Sequence, residues 1–224
     1  MLKLQFTAAS AEIIQRKIAY QGAFYRVDQL VLRHALFEGG WSPALHREVM
    51  NQASAVAVLL VDPILQQLVL IEQFRVGAFI GGLNAEKNRR VSSSAFDSSD
   101  SPWLIEIVAG LIEPGESLIS VAQRETVEET GLNVTALLPI CDYWMSPAGS
   151  TGKISLFCGQ VDSKLAAGIH GVAADGEDIR LHVVPIQNAY YDLSQGLIKH
   201  GPTLIALQWL QLHEKWVYEQ WKSG

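Results

Sequence analysis

The stretch over residues 110–132, GLIEPGESLISVAQRETVEETGL, constrains this chain more than any other. Ser117 is placed to cap a helix over 118–130, and Gly131 to end it. On that helix Glu125, Glu128 and Glu129 stand at i, i+3 and i+4 and share one face. Carboxylates this close repel, so clustering them costs stability unless a basic group or a cation compensates. Arg124 is one candidate partner and a divalent cation is the other. All-oxygen donors suit Mg²⁺, or Mn²⁺ in its place, better than Zn²⁺. No HExxH, CxxC or paired histidines point to zinc. The plain alternative is a solvated acidic helix face.

Such a helix needs a body to pack on. At roughly 150 residues per domain, 224 residues suggest one domain plus an extension. The 49% hydrophobic content is that of a globular chain. A net charge of −6 argues against nucleic acid or another polyanion as a general partner, while leaving room for a local basic pocket. No apolar run reaches the length of a membrane span, and the N-terminus has no signal-peptide core. Cys141 and Cys158 lie in apolar strand-like segments and read as buried thiols, so a cytoplasmic location without disulfides is expected.

The chain divides at about residue 52. Residues 1–52 hold two strands in AYQGAFYRVDQLVLRHAL with a bend between them, too little to bury a core alone. Residues 53–224 form the main domain. AVAVLLVD, LVLIEQFR, WLIEIVA, VTALLPICDYW, ISLFCGQV and IRLHVVPI read as strands. A long loop is expected over 77–101, with a Ser-rich insertion at about 82–100. Helices are expected near IQNAYYDLSQG and over 203–222, the latter docking through Leu204, Ile205, Leu207, Trp209, Leu212 and Trp216. The mixture of strands and helices implies an α+β fold, or helices on both faces of a mixed sheet.

The order Gly110, Glu116, Arg124, Glu125, Glu128, Glu129, Gly131 resembles the Nudix box, the signature of hydrolases that cleave nucleoside diphosphates linked to another moiety. Thr126 departs from the pattern at a structural position. Pro147 in MSPAGST, with LIEQFR, PWLIEIVAG, GIHGVAADGEDIRLHVV and LIALQWLQLH, is similar to the bacterial ADP-ribose pyrophosphatase branch. The resemblance spans about residues 20–216 and lapses near 82–97.

The resemblance implies a Nudix fold and metal-dependent hydrolysis of ADP-ribose to AMP and ribose 5-phosphate. Metal ligation would fall on Glu125, Glu129, Glu177 and the carbonyl of Ala109, with Glu128 completing a second site. Glu116 and Arg124 would form a buried structural pair. The general base would be Asp175 or Glu177; Asp175 is one methylene shorter than the glutamate of the family. Arg75, Arg47, Phe24, Leu111, Ser146, Pro147 and Ala148 would contact substrate, Phe24 near the adenine. The N-terminal strands would swap between subunits of a homodimer. Gln52 stands where the family often has an arginine, and Gly152 where it has a substrate-contacting glutamate. These two departures keep open another nucleoside diphosphate sugar or dinucleotide as substrate. The shortened Asp175 keeps open a module that binds ADP-ribose without cleaving it.

Overall fold

The computed structural model describes residues 2–87 and 101–222. Its backbone divides into two compact units, Met1–Ser54 with Tyr143–Lys153, and Ala55–Asp142 with Ile154–Gly224.

The smaller unit is an antiparallel sheet in the order β1-β2-β3, from β1 (Ala11–Gln21), β2 (Arg26–His34) and β3 (Leu45–Asn51). The Gly22 amide donates to the Tyr25 carbonyl (2.9 Å) and closes the first turn. The expected pair of strands is therefore three. The third, LHREVMN, is too polar to show a clear alternation, and cross-strand pairing with β2 makes it a strand. The segment 145–152 is tied to the end of β3: Met50 N–H donates to Gly149 O (2.8 Å), and Thr151 N–H to Met50 O (3.1 Å).

The larger unit is built on a mixed sheet in the order β10-β11-β5-β4-β9-β8. Its strands are β4 (Ala55–Asp62), β5 (Gln67–Phe74), β8 (Ala136–Trp144), β9 (Lys153–Gln160), β10 (Ile169–His170) and β11 (Ile179–Pro185). Two short strands, β6 (Trp103–Glu106) and β7 (Val108–Leu111), pair with β5 and β4 respectively. The β4–β9 pair is parallel, and β4–β5 and β5–β11 are antiparallel. β4 is buried along nearly its whole length, which is why AVAVLLVD is continuously apolar rather than alternating.

Its two faces pack on different helices. Val56, Val58 and Leu60 cluster with Val69, Ile71 and with Val121 and Ala122 of helix α2 (Leu118–Thr130). By strand alternation Ala57 and Leu59 face the other way. Helices α3 (Ile186–Ser194) and α4 (Gly201–Lys222) bury Ile186, Ala189, Ala206, Leu207, Leu210 and Val217. The expected sandwich on a mixed sheet is present.

Three local expectations need correction. Residues 76–87 form helix α1 (Val76–Lys87), where a loop was expected from residue 77; its adjacent Gly81 and Gly82 depress helix propensity and hide it. The rest of the Ser-rich stretch lies outside the described residues. Helix α4 docks through Thr203, Ala206, Leu207, Leu210 and Val217, while Leu212 is 80% exposed and Trp216 is exposed. Cys158 is buried as expected, but Cys141 is exposed. No described helix is long and apolar enough to cross a membrane.

Candidate active site

Helix α2 begins as its sequence requires. The Ser117 hydroxyl accepts the Ser120 amide (3.1 Å), the Ser120 hydroxyl accepts the Ser117 amide (3.0 Å), and Gly131 takes a left-handed φ of 69° at the C-cap. Thr126, the departure from the box pattern, is fully buried and satisfied by its own helix, its hydroxyl donating to Ala122 O (2.7 Å).

Two carboxylates of this helix, Glu125 and Glu129, face β7. Glu129 is 3% exposed, and its Oε2 accepts the Ala109 amide (3.0 Å). Burial pushes its carboxyl up to about 8; the Ala109 amide and Arg75 oppose the rise, and Glu125 and Glu177 add to it. Glu125 also lies above the ordinary carboxylate range, through burial and the charges of Glu128 and Glu177, against the pull of Arg124. Glu125 packs so tightly on Gly110 that a Cβ there would stand 1.7 Å from its Oε1, which explains the glycine.

Arg124 compensates three of these acids. It makes a two-point contact with Glu116 (Nε–Oε1 2.9 Å, Nη2–Oε2 3.0 Å) and reaches Glu125 (2.6 Å) and Glu128 (3.0 Å) through Nη1. The expected Glu116–Arg124 pair is present but partly exposed rather than buried. Arg124 Nη2 also donates to the carbonyl of Leu111 (3.2 Å), whose side chain is exposed.

On the loop before β11, Glu177 accepts the Val172 amide (2.9 Å) and acts electrostatically on Glu125, Glu129 and Arg75. Asp175 ends a 3-10 turn, and its side chain lies outside those described. Among the described residues no three acidic, His or Cys side chains converge on one point as they stand. Arg124 draws Glu125 and Glu128 aside, and the Ala109 amide holds Glu129. The donors nonetheless suit a hard divalent cation. They are oxygens only, and the negative charge of Glu177 bears on both Glu125 and Glu129, a repulsion that a cation relieves.

Arg75 follows β5 and is gripped by Glu106 at the end of β6, with Nε–Oε1 2.9 Å and Nη2–Oε2 2.6 Å. Glu106 is fully buried, and Gln73 (3.4 Å) and His200 (3.8 Å) also approach it. His200 bonds Thr203 Oγ1 (2.9 Å), which accepts the Ile107 amide (3.0 Å). Glu106 and His200 were missed at the sequence level. A single acid within the apolar run WLIEIV was the available signal for Glu106, since a buried charge requires a partner.

The other expected substrate contacts, Phe24, Arg47, Ser146, Pro147 and Ala148, belong to the smaller unit. Phe24 lines a cavity of about 420 Å³ there. Arg47 lines a different one of about 350 Å³, on β1–β3, so the structure does not bring the two together. Ser146, Pro147 and Ala148 form an exposed turn in which Ser146 O accepts the amides of Gly149 (3.1 Å) and Ser150 (2.8 Å).

Comparisons with known proteins agree with this geometry. The NUDIX domain model matches residues 51–214. The ADP-ribose pyrophosphatase of Escherichia coli K12 is 40% identical over 220 residues, covering 98% of this chain and 97% of the relative. That of Haemophilus influenzae is 38% identical over 98% of this chain and 94% of its own. A GDP-mannose pyrophosphatase of Cronobacter sakazakii is 29% identical over 91% and 96%. A crystal structure of an ADP compounds hydrolase shares the fold, with a TM-score of 0.65 at 18% identity over 98% of each chain. With the box carboxylates on one helix against β7 and a family match across most of its length, the chain belongs to the Nudix hydrolase family.

Proposed function

We propose that this protein hydrolyses the pyrophosphate of ADP-ribose, giving AMP and ribose 5-phosphate. The observation that carries the reading is the coupled set Glu125, Glu129 and Glu177, in a chain matched almost end to end by pyrophosphatases named for that substrate.

Glu125, Glu129, Glu177 and the Ala109 carbonyl would hold Mg²⁺, with Mn²⁺ as a substitute and Glu128 at a second position. Bound Mg²⁺ supplies charge neutralisation at the pyrophosphate and a more acidic water. The chain's own groups do the rest. Arg75, with Nε and Nη2 fixed on Glu106, presents the remainder of its guanidinium to a phosphate oxygen. Water adds to phosphorus, the P–O anhydride bond breaks, and Glu177 accepts the proton. Glu177 takes this role because its charge reaches Glu125 and Glu129 of the box helix; Asp175, two residues before it, is the other candidate, and comparing Glu177→Gln with Asp175→Asn tests the assignment. Phe24 and the Ser146–Pro147–Ala148 turn would bind the nucleoside and sugar ends.

We also infer a homodimer with exchanged N-terminal strands. β1 is exposed along its whole length, and Ile13, Ile14 and Ile18 each keep more than half their surface in water, which favours a partner covering them. The same reading places the enzyme in the cytoplasm, where its two free thiols stay reduced.

Product analysis with ADP-ribose and Mg²⁺ tests the function. Metal-dependent AMP and ribose 5-phosphate are expected, abolished by EDTA and by Glu129→Gln. Full turnover in EDTA sinks the mechanism, and absence of AMP sinks the substrate.

A further inference from the structure

The two departures of this chain from its family's substrate-binding pattern, Gln52 and Gly152, turn out to be a single feature. Both lie in the smaller unit. A Cβ on Gly152 would stand 2.3 Å from Gln52 Nε2 and 2.3 Å from Met145 Cε, so only glycine leaves room for the glutamine as placed. The backbone of Gln52 is held firmly. Its N–H donates to Thr151 Oγ1 (3.2 Å), and the Thr151 hydroxyl donates back to its carbonyl (3.3 Å).

Gln52 lines the 420 Å³ cavity together with Phe24, Tyr25, Arg26, Asn51 and Gln21. Phe24 is 84% and Tyr25 50% exposed, an aromatic surface on which a base can stack. The polar lining is unequally committed. Gln21 donates to the Gly22 carbonyl (3.2 Å), Asn51 donates to Asp28 (3.0 Å), and Arg26 pairs with Asp28 (3.1 Å). The Gln52 amide nitrogen rests 3.9 Å from the Met145 sulfur, a weak acceptor. Among these groups its carboxamide has the least to lose on meeting a ligand.

We propose that Gln52 is the residue that reads the base of the nucleotide, and that it accepts adenine and guanine alike. This rests on the reading of the protein as a nucleoside diphosphate sugar hydrolase. Adenine presents an amino donor beside a ring-nitrogen acceptor. Guanine presents a carbonyl acceptor beside a ring N–H donor. A carboxamide offers one donor and one acceptor side by side, and a half-turn about its last torsion exchanges them. A guanidinium, donor only, or a carboxylate, acceptor only, lacks that reversal.

The test compares ADP-ribose with GDP-ribose, which differ only in the base. kcat and KM are measured for both, and AMP and GMP binding by calorimetry, with wild type, Gln52→Glu and Gly152→Ala. In wild type the two values of kcat/KM, and the two Kd values, should agree within about tenfold, the scale of one side-chain contact. Gln52→Glu should shift both ratios about tenfold or more toward guanine, whose ring N–H and amino group both donate to a carboxylate while adenine's ring nitrogen is repelled. The shift should lie in KM and not kcat, because the base is remote from the reacting phosphorus. Gly152→Ala should raise KM for both substrates by displacing the amide. A wild-type preference above about a hundredfold, or ratios unmoved by Gln52→Glu, would overturn the proposal. If neither sugar is cleaved while AMP and GMP bind equally and respond to Gln52→Glu, the catalytic reading fails and the base reading stands.

Discussion

At Glu129, burial and the neighbouring carboxylates push in the same direction. The side chain is nearly inaccessible, Glu125 and Glu177 are close enough to act on it, and its carboxyl is pushed from 4.5 to about 8. A carboxyl raised on folding stabilises the fold fully below its unfolded value and loses that contribution as pH rises through the folded one. The metal-free protein should therefore melt at a lower temperature at pH 9 than at pH 6, and Mg²⁺ should restore the loss. Glu129→Gln should flatten both responses; identical melting profiles for wild type and variant would refute the assignment. Gly110 offers a second residue-scale test. An added methyl has no space beside the Glu125 carboxylate, so Gly110→Ala should displace that carboxylate and, on the proposed function, lower kcat by roughly a hundredfold or more, with circular dichroism unchanged.

At the scale of elements, helix α2 and the seam between β6 and β7 behave differently. Helix α2 is locally specified. Its capping serine, terminal glycine and three acids at i, i+3 and i+4 could be placed from spacing alone, and the caps and shared face appear in the structure as expected. Ser117→Ala should cost about 1 kcal/mol in urea denaturation, the usual value of an N-cap. The seam is not locally specified. Glu106 ends β6 with no exposure, held by Arg75 from the end of β5 and approached by His200 from the loop before α4. Removing Glu106 takes a two-point charged contact from Arg75, whose side chain is 42% exposed and so partly solvated once unpaired; Glu106→Leu should lose about 1–3 kcal/mol. Helix α1 was missed for a related reason: its glycine pair argues against a helix, and the context around the chain overrides that preference.

At the scale of the whole molecule, the exposed isoleucines of β1 carry the proposed assembly. Light scattering should give twice the chain mass, and Ile13→Lys with Ile18→Lys should reduce it to one chain; a monodisperse wild-type monomer would refute the dimer. The architecture was legible in the strand list because β4, β5 and β9 are buried runs whose composition reports their burial directly. The docking face of α4 was not. Its apolar residues surround much of the helix, so the sequence does not choose which stripe turns inward; the sheet selects Thr203, Ala206, Leu207, Leu210 and Val217. What the sequence determined alone was therefore whatever the 3.6-residue helical repeat and its end residues impose at short range: a capped helix with its acids on one face, and hence the family. What only tertiary structure decided were contacts between distant residues. Arg75 turns onto Glu106 in the next strand, Glu177 comes within electrostatic reach of the box helix, and Gly152 makes room for Gln52. Spacing cannot reveal these, because strand pairing and the packing of loops on strand ends, rather than the local backbone repeat, bring such residues together.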